Sequence, residues 1–324
     1  MAETEILLRV RDYDLAATLD SGQVFRWRPE RGRLAREFQL SPRAGEPSAL
    51  LDSWTGVVGE HGVRLTQGPD GIHAETAAPV KNWNWLRDFL QTEVDLAAVL
   101  KTFPDDAPMR AAVAACHGLR VLRQDPWECL ASFILSSTKQ IVQIRQIVSL
   151  LCERFGEPLT RPPATLSPHG GERAGARGAF CLNENHLSYS FPTPQRISAA
   201  GEADLRACKM GFRAPHLLAA ARQITDGKFD LNRLGHLPLT EARAELMTLR
   251  GVGGKIADCV LLFACGFDAA FPVDVWVERA LRELYFSRRR APAKRLRHFA
   301  ATHFGPRAGY AQQYLFHYMR TKIK

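Results

Sequence analysis

The chain contains no cysteine after Cys265. The seven it has, Cys116, Cys129, Cys152, Cys181, Cys208, Cys259 and Cys265, include no Cys-x-x-Cys pair. That excludes zinc-knuckle spacing, and the odd count gives no disulfide framework. The C-terminal end also lacks the four closely spaced thiolates that an iron–sulfur cluster needs. Reduced thiols in an intracellular protein are the simplest account, in cytoplasm or nucleoid if bacterial and in the nucleus if eukaryotic. No apolar run approaches the roughly 18 residues of a membrane span. The segment Met1-Ala2-Glu3-Thr4-Glu5 is acidic and lacks an apolar or Arg/Ser-rich targeting pattern, so secretion and transit signals are expected to be absent. No period of twenty to fifty residues recurs, which argues against a solenoid. Acid is scarce at one end. From Arg279 to Lys324 there are twelve Lys and Arg against the single acid Glu283, a local charge of +11 within a chain whose net charge is +9. The other 278 residues therefore carry −2, and the asymmetry points to a polyanionic partner. Arg288-Arg289-Arg290 with Lys294, Arg295 and Arg297 are placed to neutralise its charges.

What is present divides the chain in two. Up to about residue 115, short extended runs (Val24-Phe25-Arg26-Trp27, Gly56-Val57-Val58, Val63-Arg64-Leu65-Thr66) are broken by Gly and Pro, and predict antiparallel sheet with a helix at Trp83–Phe89. From Pro126 the apolar spacing becomes helical. Trp127, Leu130, Ile134 and Leu135 recur at three and four, as do Ile141, Ile144, Ile147, Val148 and Leu151. Between Pro158 and Pro194 periodicity is lost, which predicts a long loop holding Phe180 to Leu187 loosely. Helices are expected again from Ala203 and at 215–224, 240–248, 255–265, 274–285, 293–304 and 310–319. The fold class is α+β, with domains at 1–115 and 116–324 and any chemistry in the helical half.

The most specific feature is Leu249-Arg250-Gly251-Val252-Gly253-Gly254-Lys255, followed nineteen residues after the lysine by Asp274 in Phe271-Pro272-Val273-Asp274-Val275. A glycine turn opening a helix leaves backbone N–H groups for a phosphate, aided by the helix dipole. A lysine in that first turn sits beside positive dipole and in partial burial, two effects that favour a neutral, nucleophilic amine. Asp274 can steer such chemistry or cap the helix it precedes. Taken singly, a Gly-x-Gly-Gly turn is more often a plain turn and a first-turn lysine a solvated charge. The joint pattern is what carries information.

Leu-x-Gly-Val-Gly-x-Lys-x-Ala-Asp-Cys with Pro-Val-Asp-Val resembles the helix-hairpin-helix, Gly/Pro-Asp class of DNA base-excision glycosylases, and within it the lysine-bearing 8-oxoguanine DNA glycosylases. The resemblance extends to Asp20-Ser21-Gly22-Gln23-Val24-Phe25-Arg26-Trp27, Trp54-Thr55-Gly56-Val57, Leu122-Arg123-Gln124-Asp125-Pro126-Trp127 and Gly305-Pro306-Arg307-Ala308-Gly309-Tyr310-Ala311-Gln312. It covers most of the chain apart from about 28–50 and 160–190. It implies a TBP-like N-terminal antiparallel sheet domain that contributes to a base pocket, then an all-helical glycosylase domain with its helix-hairpin-helix at 240–265. It implies Lys255 and Asp274 as catalytic residues. Gly22 offers a carbonyl to the N7–H that 8-oxoguanine has and guanine lacks, Cys259 and Phe316 sandwich the flipped base, and Gln312 addresses its Watson–Crick edge. Phe212 is the wedge that fills the gap in the duplex, with Arg213 facing the orphaned base. Gly251, Gly253, Gly254 and Trp276 lie against the DNA backbone. The partner is double-stranded DNA carrying a damaged purine, bound by a monomer without a membrane. No cofactor and no catalytic metal are required, and the one ion the resemblance admits is a monovalent cation on hairpin carbonyls.

Departures from the family pattern are as informative. Ser-Ser-Asn-Asn-Asn-Ile appears as Ser136-Ser137-Thr138-Lys139-Gln140-Ile141, so Thr138 replaces the asparagine expected at the estranged cytosine, and Gln143 replaces an arginine. Loss of a bidentate fork weakens reading of the opposite base. Trp276 stands in place of a histidine that the family uses for a phosphate contact. Two other readings remain open at this level: a hairpin module that grips DNA without chemistry, and a glycosylase for another damaged base. Against alkylated purines stands Lys255; against thymine glycol, the missing cluster cysteines.

Overall fold

The computed structural model describes residues 2–30, 53–159, 188–286 and 291–322. Five antiparallel strands form the N-terminal sheet: β1 (Glu3–Leu8), β2 (Arg28–Glu30), β3 (Ser53–Val58), β4 (His61–Gly68) and β5 (Gly71–Val80), in the order β1-β5-β4-β3-β2. Tight turns set the register. Val58 pairs with His61 across Gly59-Glu60, and Gly68 with Gly71 across Pro69-Asp70. Gly59, at φ +57, supplies the left-handed conformation that a two-residue hairpin loop requires. One face of the sheet packs Trp54, Leu65, Ile72 and Ala74 against Leu86 and Leu90 of the Asn84–Leu90 helix, forming a first core.

The short helix Leu15–Asp20 adds Leu15 and Leu19 to that core, and the helices from Leu96 onward build a second, larger one. It is centred on the fully buried Leu130, Val148, Ala221, Leu261 and Leu281. Aspartates at several helix starts show how the local sequence fixes the boundaries. Asp106, Asp125 and Asp274 each accept first-turn N–H groups through their side chains, and Pro follows within the first two positions at Asp106 and Asp125. The helices Leu96–Leu100 and Ala107–Ala115 fall inside the expected first domain. Their buried Leu96, Val99, Met109 and Ala112 nevertheless join the helical core, so in packing terms the second unit begins near Leu96.

Val24–Trp27 is not the strand that its β-forming residues predict; the strand is Arg28–Glu30. The reason is tertiary. Val24 and Trp27 enter the sheet core while Phe25 enters the helical core, a division that the two faces of one sheet cannot provide. Gln23, fully buried just before them, donates to the carbonyls of Thr18 (3.0 Å) and Arg120 (2.8 Å), and its Oε1 accepts from Leu122 N (2.8 Å). Residues 160–187 of the expected 158–194 loop lie outside the described residues, as do Cys181 and Arg288-Arg289-Arg290. Its described ends pair as Pro158–Leu159 with Ser188–Tyr189. Among the described residues no helix is long and apolar enough to cross a membrane.

Trp27, 1 % exposed, lies over Gly56 so closely that a Cβ there would meet its indole at 2.3 Å. Gly56→Ala is therefore expected to destabilise the protein by about 1–3 kcal/mol through overpacking. Urea unfolding checks this, and an unchanged midpoint with unchanged slope would refute the packing account.

Candidate active site

The hairpin consists of the helices Leu239–Leu246 and Gly254–Phe263, tied by Arg243 Nε donating to Asp258 Oδ1 at 2.6 Å. Buried Leu249 and Val252 anchor the turn in the core. Gly251 adopts φ +84, and a Cβ there would lie 2.4 Å from His216 Nδ1, so both conformation and space demand glycine. Around Gly253 and Gly254 a Cβ would meet nothing within 4 Å, and no side chain caps the helix that Gly253 begins. The first-turn N–H groups of that helix are thus left for an acceptor from outside, and the dipole favours an anionic one.

Lys255, in that first turn, projects to Ser136, donating to its Oγ at 3.2 Å with its Nζ 5.0 Å above the Phe133 ring. Asp274 is the N-cap of the Val275–Tyr285 helix. Its Oδ1 accepts from Trp276 N at 3.0 Å and Val277 N at 2.8 Å. Burial raises its carboxyl above the ordinary range, opposed by the Val277 N–H and by the positive charge of Lys255. The cap and the lysine hold a carboxylate in a place that desolvation disfavours.

A cavity of about 50 Å³ joins these groups to Gly22, Cys259, Gln312 and Phe316. That is room for one or two waters, not for a purine. Cys259, one turn beyond Lys255, is 3 % exposed, and burial pushes its thiol up to about 12, so it presents a neutral sulfur. Gln312 and Phe316 lie one turn apart on the Ala308–Lys322 helix. The Phe316 ring lies across Gly22, where a Cβ would meet it at 3.3 Å; Gly22 itself is at φ +78. Gln312 is buried, and its Oε1 has no hydrogen-bond partner. No group of three His, Cys, Asp or Glu among the described residues could hold a metal.

The other predicted residues lie apart from this cavity. Phe212 is 55 % exposed on the short turn Gly211–Arg213, an apolar ring presented to solvent. Arg213 does not face outward as expected. It is 3 % exposed and donates to Met210 O (3.2 Å), Ser137 O and Thr138 Oγ1 (2.5 Å). The cause lies in the loop. Thr138 sits at φ +56, a conformation that asparagine tolerates far better than a β-branched residue, and its hydroxyl and the neighbouring carbonyl take up the guanidinium. Trp276 is half-buried against the helical core, with Arg279 6.0 Å from its ring. The sequence pattern does not single out Phe133, Ser136, His216 or Gln313. Apolar periodicity marks Phe133 only as core, and the others meet the site through contacts far apart in the chain.

A glycine-turn hairpin, a first-turn lysine beside a half-buried capping aspartate and a small pocket between them and the Ala308–Lys322 helix define the class of helix-hairpin-helix base-excision enzymes. Comparison with known proteins gives the same answer. Residues 131–304 match the HhH-GPD superfamily of base excision DNA repair proteins, and residues 5–130 match the N-terminal domain of 8-oxoguanine DNA glycosylase. The chain belongs to the HhH-GPD superfamily. It is 29% identical to the probable N-glycosylase/DNA lyase of Methanothermobacter thermautotrophicus, over 96% of this chain and 95% of that one. It is 32% identical to the N-glycosylase/DNA lyase of Saccharomyces cerevisiae, over 87% and 71%. The Clostridium acetobutylicum 8-oxoguanine glycosylase/lyase, solved with double-stranded DNA containing cytosine opposite 8-oxoguanine, superposes with a TM-score of 0.79 at 26% identity, covering 100% of this chain and 99% of that one.

The raised Asp274 carboxyl gives a linked prediction. A group whose folded pKa is raised stabilises the fold fully below its unfolded pKa, and that contribution is lost as pH rises through the folded pKa. At neutral pH the ionised group therefore costs stability. Asp274→Asn keeps a capping oxygen and should melt at or above the wild-type temperature at neutral pH while losing at least roughly 100-fold in base excision. Melting curves and single-turnover assays check the pair; a variant that is both active and less stable would contradict it.

Proposed function

We infer that this protein is a bifunctional 8-oxoguanine DNA glycosylase and AP lyase whose nucleophile is Lys255. The observation that carries the reading is the convergence of Lys255, Asp274, Gly22, Cys259, Gln312 and Phe316 on one cavity. The damaged nucleotide leaves the stack, Phe212 fills the space behind it, and Phe316 moves off Gly22 to admit the base against Cys259. N7–H of 8-oxoguanine donates to the Gly22 carbonyl. Guanine has no proton there, so it would leave that acceptor buried and unpaired, a penalty of about 1–3 kcal/mol. The unpartnered Gln312 Oε1 accepts from the Watson–Crick edge.

The deprotonated Lys255 amine attacks C1′. The C1′–N9 bond breaks with its electrons passing to the base, which takes up the proton that the attacking amine sheds, while the Asp274 carboxylate stabilises the positive charge on the sugar. Loss of the sugar oxygen bond at C1′ gives an imine between Lys255 and the opened sugar. The imine acidifies C2′–H, and β-elimination expels the 3′ phosphate, cutting the strand. Water then releases the lysine. No cofactor enters these steps. A monovalent cation at the hairpin would be held by carbonyls of the turn Leu249 to Gly254, of which Leu249 O already accepts Val252 N and Gly253 O accepts Ala257 N. Substrate DNA places the protein inside the cell, where first-turn N–H groups of the hairpin helix, exposed Lys294 and Arg295 meet its phosphates.

Borohydride should trap the chain covalently on duplex DNA containing 8-oxoguanine, and Lys255→Gln should abolish the adduct. Trapping that survives the substitution would move the chemistry to another amine, and binding without base release would select the non-catalytic alternative. A second outcome concerns the opposite strand. Gln143 accepts Gln140 N at 3.2 Å and closes a capping box, and Arg213 is engaged by Thr138. Excision rates opposite each of the four bases should therefore lie within about tenfold of one another, the weight of a single base contact being roughly 1–3 kcal/mol. A lead for cytosine by orders of magnitude would overturn this.

A further inference from the structure

The carbonyls flanking Gly22 are taken up one by one from two directions. On the N-terminal side, the Ala308–Lys322 helix reaches back across 292 residues. Gln313 Nε2 donates to Ser21 O at 3.0 Å, and Arg320, two turns further on, donates to Asp20 O at 2.9 Å. On the C-terminal side, Gln124 Nε2 donates to Gln23 O at 2.8 Å. Among the described residues the Gly22 carbonyl alone, in the run from Asp20 to Gln23, accepts no hydrogen bond. Gly22 also has no side chain to hold its peptide, and at φ +78 it occupies a region where glycine moves freely. Its carbonyl direction is set by the peptides on either side.

We propose that Gln313 is the specificity-determining positioning residue of this enzyme, holding the Ser21 peptide so that the Gly22 carbonyl keeps the direction needed to meet N7–H of 8-oxoguanine. This rests on the reading that Gly22 discriminates lesion from guanine. Gln313 is 2 % exposed, and a buried amide in this place has one job its neighbours do not share. Gln312, next to it, leaves its own oxygen without a partner, whereas Gln313 spends its donor on backbone. Because the same helix carries Gln312 and Phe316, the contact also locks the two groups that touch the base to the segment that reads it.

The test compares two activities of the full-length chain: single-turnover excision of 8-oxoguanine, and strand scission at a preformed abasic site, which has no base to read. Gln313→Met, similar in length but without a donor, is expected to lower excision roughly 10- to 100-fold more than scission. Gln313→Glu separates positioning from packing. A neutral carboxylic acid donates one O–H to Ser21 and a carboxylate cannot, so the ratio of excision to scission should recover toward the wild-type ratio as pH is lowered, with no such recovery for Gln313→Met. Equal losses in both activities would make Gln313 merely structural and overturn the proposal, as would a wild-type ratio in both variants. If the wild type itself fails to favour 8-oxoguanine over guanine in competition, the underlying reading of Gly22 falls and the proposal with it. If the wild type discriminates and the variants keep its ratio, the proposal alone fails.

Discussion

The structure depends on Gln23. A fully buried amide that satisfies carbonyls of Thr18 and Arg120 and the N–H of Leu122 cannot be left half-paired without a penalty of about 1–3 kcal/mol for each lost bond. It sits at the joint where the chain sends Val24 and Trp27 to the sheet and Phe25 to the helices. The two cores are thereby fixed relative to each other by hydrogen bonds whose geometry is directional, where apolar contact alone would allow sliding. Gly22 immediately precedes this joint, so the segment that lines the pocket is held by the same bonds that hold the fold.

The second constraint is electrostatic. In the proposed reaction Asp274 serves as a charge, in a place where the protein is poor at solvating charge and burial raises its carboxyl. The fold offsets this with two backbone N–H groups at a helix start and with the amine across the cavity. Capping and charge stabilisation are not competing roles for this residue. The helix N-terminus both orients the carboxylate and favours its charged form against the upward push of burial. Cys259 shows the opposite treatment on the other wall: its thiol is held neutral by burial, suited to packing against an aromatic face.

Phe316 lies across Gly22 beside a cavity of only about 50 Å³. In the proposed reaction a base that enters displaces that ring from its apolar contact and replaces it with stacking of its own. What the base would gain on that reading is polar: the Gln312 Oε1 has no partner, and among the described residues the Gly22 carbonyl accepts no hydrogen bond. Selectivity in such a site comes from the hydrogen bonds made on opening more than from apolar surface, which any purine would supply.

By itself the sequence determined the division into a sheet part and a helical part, since periods of two and of 3.6 are written locally in the apolar residues. It placed Lys255 in the first turn after a glycine turn and Asp274 before the next helix, because turns and caps are short-range chemistry. It did not show that Val24–Trp27 serves two cores, that Leu96 to Ala115 pack with the helices, that Arg213 turns inward onto Thr138, or that Gln313 grips Ser21. Each of those depends on groups distant in the chain, through apolar packing in the first two cases and hydrogen bonds in the last two, and no local pattern encodes which distant partner a buried side chain will find. Only tertiary packing decided them, because only there do desolvated donors have to be matched with particular acceptors.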